Sequence, residues 1–273
     1  MNRLFVAYKP TGIGSNFFLS KLKRKYKTKK AGFTGTLDPF AKGVLIIGFG
    51  SYTKLFRFLN KTPKTYKATL WLGAKSDSLD TEMIEHVSIL KEFSRDIVVE
   101  VVKSLEGELE YEPPIFSAKR IDGQRAYDLA RAGKEFTLNK IDSTIYETKL
   151  INYSHPFVTF EATVSEGTYI RSLGSIVATR LGVDYGSLSA LERLNEGAFT
   201  YDNEKPLKIK KSLNIPQNFY YGDSDNLKYG RVLALEDLDT KEDGCYWLDS
   251  GSFISIINVQ DDAVKYELGR IEC

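Results

Sequence analysis

Histidine, cysteine, methionine and tryptophan each occur only twice in this 273-residue chain, and their scarcity narrows its chemistry. His86 and His155 stand far apart, which argues against a histidine-based triad or a zinc centre. Cys245 and Cys273 both fall late and are too widely spaced for a disulfide framework or a metal site. No apolar run approaches the length of a membrane span, and the N-terminal LFVAY is too short for the core of a signal peptide. A cytoplasmic protein with no membrane association is therefore expected. No G-x-x-x-x-G-K-S/T loop is present to cradle a phosphate, and GFG at 48–50 lacks a third glycine. Acidic residues are missing altogether before Asp38, whereas nine Lys or Arg precede it.

That last absence reveals what a net charge of +2 conceals. From residue 215 onward twelve acidic residues face five basic ones, so the basic footprint belongs to the front of the chain. A lone carboxylate set behind a cationic segment points to chemistry on a polyanion, and a nucleic acid fits best. With 42% hydrophobic residues the chain can bury a large core, and one main domain with an appendage is expected.

Residues 29–50, KKAGFTGTLDPFAKGVLIIGFG, carry that carboxylate. Pro39 disfavours the helical region for Asp38, which places the side chain on an extended or turning segment. Gly32, Gly35 and Gly43 give the loop a shape as well as freedom. Taken alone, the stretch is better read as an ordinary turn in which Asp38 bonds its own backbone, because Asp-Pro so often marks turns.

The stretch closely resembles the signature of the TruB family of tRNA pseudouridine synthases, through Lys30, Gly32, Thr34, Gly35, Leu37, Asp38, Pro39, Ala41, Gly43 and Leu45. Further family segments recur in order from residue 3 to about 205: Lys9-Pro10-Thr11-Gly12 with Ser15, Lys64-Thr65-Tyr66, PPIFSAKRIDGQRAYDLARAG at 113–133, Ser165-Glu166-Gly167-Thr168-Tyr169-Ile170-Arg171, and the segment around Leu191 and Arg193. The resemblance implies Asp38 as the catalytic carboxylate and Arg171 as its ion-pair partner, an arginine that can hold a carboxylate bidentately and keep it ionised. It implies Tyr66 against the target base, Tyr169 and Leu191 lining the uridine pocket, and Lys9 and Phe33 as further substrate contacts. Taken singly, Tyr66 and Leu191 fit a packed core and Arg171 a structural ion pair. Lys119, Arg120, Arg125 and Arg131 are candidate phosphate contacts or a solvated helix face.

Phe33 departs from the family, which has histidine there. Phenylalanine stacks or wedges but cannot hydrogen-bond, so the T-loop contact should rest more on aromatic stacking. The implied reaction is isomerisation of uridine to pseudouridine at position 55 in the T loop of tRNA, with the target base flipped and no cofactor or metal. The catalytic step remains open among attack on uracil C6, attack on ribose C1′, and removal of the C2′ proton. The partner is the T arm of tRNA, and the enzyme is expected to be a monomer. Two alternatives are an RNA-binding or RNA-folding protein with secondary or lost catalysis, and a phosphoryl-transfer enzyme holding Mg²⁺ on Asp77, Asp80 and Glu82.

The pattern predicts an α+β chain. Strands are expected at 4–8, 44–49, 64–72, 134–138, 142–153 and 157–166, and helices at 15–27, 51–60, 94–105, 123–132 and 169–181. Ser15 and Ser94 are the expected caps of the first and third helices. The resemblance implies the pseudouridine synthase fold, a mixed and mostly antiparallel sheet with a catalytic cleft, over residues 1–205. Residues 206–273 are expected to form a small β-rich appendage, a reduced PUA-like module, joined through a linker near 202–217.

Overall fold

The computed structural model describes residues 1–117, 119–121, 123–134 and 136–273. An eight-stranded sheet organises the larger part. Its strands are β1 (Arg3–Lys9), β2 (Ala31–Phe33), β3 (Lys42–Phe49), β4 (Lys64–Leu72), β5 (Gly107–Tyr111), β6 (Ile141–Ser154), β7 (Phe157–Val164) and β8 (Gly186–Glu196). They run in the order β1-β3-β8-β4-β7-β6-β5, with β2 pairing β3 at one side. Every pairing is antiparallel except β3 with β8, where Glu192 and Arg193 lie opposite Lys42 and Gly43. The expected mixed, mostly antiparallel sheet is thus what forms.

The residue pattern explains the layering. In β3, Leu45, Ile47 and Phe49 enter the core that carries the helices, while Val44 and Ile46 enter a second core behind the sheet. In β1, Phe5 and Ala7 face the first core, and Leu4 and Val6 the second. Both strands are therefore continuous apolar runs, as burial on two faces requires. Strand β4 alternates instead: Tyr66, Ala68, Leu70 and Leu72 are buried. On its other face Thr65 and Thr69 meet Thr163 and Thr159 of β7 at 3.0 Å each.

Helices α1 (Ser15–Lys25), α2 (Arg95–Lys103), α3 (Ala126–Arg131) and α4 (Ile170–Arg180) occupy the positions the periodicity predicted, with shorter bounds. Ser94 caps α2 by accepting from the Ile97 N–H at 3.3 Å. Gly14, not Ser15, is the cap of α1, and the Ser15 hydroxyl is bonded to Leu37 instead. The 51–60 segment forms a 3₁₀ helix, Gly50–Phe58. No strand forms over the described residues of 134–138; Glu135 lies outside them.

Behind the main sheet, Gln217–Asn218, Gly244–Asp249, Phe253–Gln260 and Ala263–Glu272 make a separate four-stranded sheet. Trp247, Ile254, Ile256 and Ile271 share the second core with Leu4, Val6, Val44 and Ile46, so the C-terminal sheet is packed directly onto the back of the main one. The stretch expected as a linker is also tied down, since Leu207 N–H donates to Leu4 O at 2.8 Å.

Candidate active site

Asp38 stands on the loop between β2 and β3, and three contacts fix that loop. Ser15 Oγ donates to Leu37 O at 2.8 Å and accepts from Leu37 N–H at 2.9 Å, so both backbone groups beside Asp38 are held by one hydroxyl. Gly12 N–H donates to Pro39 O, and Ala41 N–H to Asp38 O. Underneath lies a buried ionic cluster. Arg193 on β8 donates from Nε to Val44 O and from Nη2 to Gly35 O, each at 2.9 Å, and pairs with Glu196 at 2.6 Å. The Arg193 and Glu196 side chains are 1% and 0% exposed. Glu196 also accepts from Thr34 Oγ1 at 2.7 Å. Gly43 is required where β3 passes this arginine: its φ is 122°, and a Cβ there would sit 2.2 Å from Arg193 O.

Arg171, on the first turn of α4, reaches across to this loop. Its Nε lies 3.1 Å from Asp38 Oδ2, with the arginine side chain 5% exposed and the aspartate 37% exposed. The pairing is single-pronged and not the expected bidentate fork, because Nη1 donates to Ser78 O at 2.6 Å and Nη2 to Phe116 O at 2.8 Å. Asp80 Oδ2 lies 3.8 Å from Nη1, so the guanidinium has carboxylates on two sides. Asp80 is itself held by Ser78 Oγ at 2.6 Å and by Glu82 N–H at 2.9 Å. Its carboxylate is thus engaged by Arg171 and its own turn, and among the described residues no group of three His, Cys, Asp or Glu is arranged to hold a metal.

Burial raises the pKa of Asp38 above 3.8; Arg171 opposes the rise, Asp80 adds to it, and Lys9 opposes it. Two cavities meet at this carboxylate. One of about 310 Å³ is lined by Asp38, Tyr66, Tyr169, Leu191 and Arg171, so the structure gathers these five expected residues around one space. Tyr66 is buried at its floor, and Tyr169 is oriented by its N–H donating to Tyr111 Oη at 3.0 Å. The second cavity, about 340 Å³, shares Asp38 and Arg171 and is lined by Phe33, Phe116, Tyr127 and Arg131. Phe33 therefore sits beside the first cavity and outside it.

Lys9 corrects the expectation of a substrate contact. It is fully buried, and its Nζ donates to Pro10 O at 2.9 Å and Ile13 O at 2.7 Å. Burial pulls its pKa down to about 8, against Asp38 and with Arg193. It braces the N-terminal loop from inside. Arg125 and Arg131 do line the second cavity, and their guanidinium carbons lie 5.8 Å from the Tyr127 ring centre. Lys119 donates to Asn139 O at 3.2 Å. In the same segment Ala118, Asp122 and the side chain of Arg120 lie outside the described residues.

Comparison with known proteins agrees with this geometry. Residues 23–170 match the model described as TruB family pseudouridylate synthase, N-terminal domain. The chain is 80% identical over 273 residues, all of both chains, to the tRNA pseudouridine synthase B of Sulfurimonas denitrificans. It is 50% identical over 272 residues to the protein of that name from Campylobacter concisus, covering 100% of this chain and 99% of the relative. A chain in the structure of an H/ACA RNP bound to a substrate RNA containing 2′-deoxyuridine shares the fold at a TM-score of 0.70 and 19% identity, covering 98% of this chain and 85% of that one. A carboxylate held by a buried arginine at the mouth of a tyrosine-floored cavity, on a chain with these matches, has one family assignment: the protein belongs to the TruB family of pseudouridylate synthases.

Proposed function

We propose that this chain converts uridine to pseudouridine at position 55 in the T loop of tRNA, with Asp38 as the catalytic carboxylate. The observation that carries the reading is the Asp38–Arg171 pair, 3.1 Å apart, at a cavity floored by Tyr66. The 80% identical relative named tRNA pseudouridine synthase B supports the substrate. The reaction breaks the N1–C1′ bond, forms a C5–C1′ bond, releases the C5 proton and returns a proton to N1. No net oxidation or reduction occurs, and the resemblance to the family implies neither a cofactor nor a metal.

Asp38 acts ionised, whether it attacks C6, attacks C1′ or removes the C2′ proton. Burial works against that charge and Arg171 restores it. Because Arg171 is fixed by two carbonyl groups, it also sets where Asp38 points. A uridine inside a folded T loop must leave its stack, which costs a few kcal/mol; Tyr66 and Tyr169 would offset this inside the cavity, and Phe33 and Tyr127 beside it. The reading extends to a monomeric, cytoplasmic enzyme whose residues 1–205 hold the chemistry and whose acidic 206–273 segment is a reduced PUA-like appendage.

The test is tritium release from an unmodified tRNA transcript labelled at uridine C5, repeated with the T-loop target uridine replaced. Release that depends on that uridine is expected. Equal release from both transcripts would sink the site assignment. Persistence of activity in EDTA, with RNA folding maintained by monovalent salt, is the matching expectation for metal.

A further inference from the structure

Glu166 is an anomaly in a site for a polyanion. It lies on the turn between β7 and α4, lines the same cavity as Asp38, and its side chain is 49% exposed. The turn is tight: Gly167 has a φ of 89°, and Thr168 Oγ1 donates to Ser165 O at 3.0 Å. An unpaired carboxylate at that rim would repel an incoming phosphate backbone. It is instead held between two lysines, with Lys61 Nζ at 3.0 Å and Lys64 Nζ at 3.6 Å, both on the same oxygen.

The two ammonium groups are not equivalent. Lys64 is buried and has Glu196 at 3.8 Å as a second partner, which pins it beneath the cavity. Lys61 is half-buried, and among the described residues it has no second ion pair. Lysine is a compact charge on a flexible stem, so Lys61 can swing toward a new anion while Lys64 stays. The cluster of Lys61, Lys64 and Arg193 against Glu166 and Glu196 carries one net positive charge, three minus two. Pairs with a partly exposed member hold weakly, so exchanging one anion for another there costs little.

We infer that Lys61, Lys64 and Glu166 form an exchangeable phosphate site at the rim of the catalytic cavity, where a backbone phosphate of the bound RNA replaces the Glu166 carboxylate on Lys61. The inference rests on the RNA substrate proposed above. It gives Glu166 a selective role. A polynucleotide supplies the phosphate that takes over Lys61, whereas a free nucleoside leaves the carboxylate in the mouth and gains nothing there. The carboxylate acts as the repulsive element that specificity requires.

The experiment measures binding of unmodified tRNA transcript over a salt series for the wild type, Lys61→Gln, Lys61→Arg, Glu166→Gln and the Lys61→Gln/Glu166→Gln double variant. Lys61→Gln should weaken binding and reduce the slope of log K against log salt by about one, and Lys61→Arg should restore the slope. Glu166→Gln should bind about two- to fivefold tighter, in keeping with a partly exposed pair, and the double variant should lose that gain. A slope unchanged in Lys61→Gln, or weaker binding by Glu166→Gln, would overturn the inference and make the cluster a structural brace. Tritium release by the wild type judges the proposed function separately. These salt responses without release would count against the synthase reading and support the phosphate site, while release with unresponsive variants would do the reverse.

Discussion

Arg171 meets Asp38 through Nε alone, at 3.1 Å, while its two remaining nitrogens are fixed by the carbonyl groups of Ser78 and Phe116. The arginine is thus positioned by backbone before any carboxylate is considered. Lysine at this place keeps a charge and loses the planar fork that makes three separate contacts. Arg171→Lys should lower single-turnover tritium release on the order of 100-fold, the scale of a misplaced catalytic group. Full activity would mean that the geometry at Arg171 is unimportant.

Asp38 titrates above 3.8 because burial raises it, Arg171 opposes that rise, and Asp80 adds to it. Activity should therefore fall on acidification through an acid limb higher than an ordinary aspartate gives. Removing the Asp80 charge takes away a raising influence while the Ser78 and Phe116 carbonyl groups still hold Arg171, so Asp80→Asn should move that limb to lower pH. The pH profile of kcat/KM reads the shift. A limb that moves upward in Asp80→Asn would contradict the assignment of Asp38 as the titrating group.

Arg193 and Glu196 form an ion pair shielded from solvent beneath the Asp38 loop. Arg193→Met leaves Glu196 with the Thr34 hydroxyl at 2.7 Å and, as a charged partner, the more distant Lys64 at 3.8 Å, and it releases Gly35 O and Val44 O. Breaking one side of a buried pair costs about 3–5 kcal/mol, and urea unfolding should register a loss of that size. A loss below about 1 kcal/mol would show that the cluster does not hold the loop.

Phe33 lines the cavity next to the catalytic one. If it receives a base by stacking, Phe33→Ala should weaken transcript binding by about 1–3 kcal/mol, and Phe33→Tyr should retain most of it. Equal binding by all three forms would remove Phe33 from the RNA interface.

The loop bearing Asp38 was legible in the sequence because its glycines, Pro39 and its flanking lysines are local signals. The alternation of Tyr66, Ala68, Leu70 and Leu72 likewise shows in β4. Strand β8 was hidden: its leucines 188, 191 and 194 recur every three residues, and only the register shifts at Leu188/Ala190 and Arg193/Asn195 reconcile that spacing with a strand. Arg193 was matched there as part of the family segment but given no role, since nothing local shows that its charge is buried. The one available signal was Glu196 three residues later. Lys9 was misjudged because nothing local distinguishes a lysine whose ammonium is satisfied by carbonyl groups from one facing RNA. Asp80 was given no role toward Arg171 in the sequence reading, because its approach joins residues 91 apart in the chain.

In the proposed reaction the Asp38 carboxylate, and not merely its side chain's shape, drives the isomerisation. Asp38→Asn changes the charge with little change in size. Under single-turnover conditions with enzyme in excess over C5-tritiated transcript, it should abolish release while binding the transcript within several-fold of the wild type. Release at the wild-type rate from a fully bound Asp38→Asn complex would contradict that role.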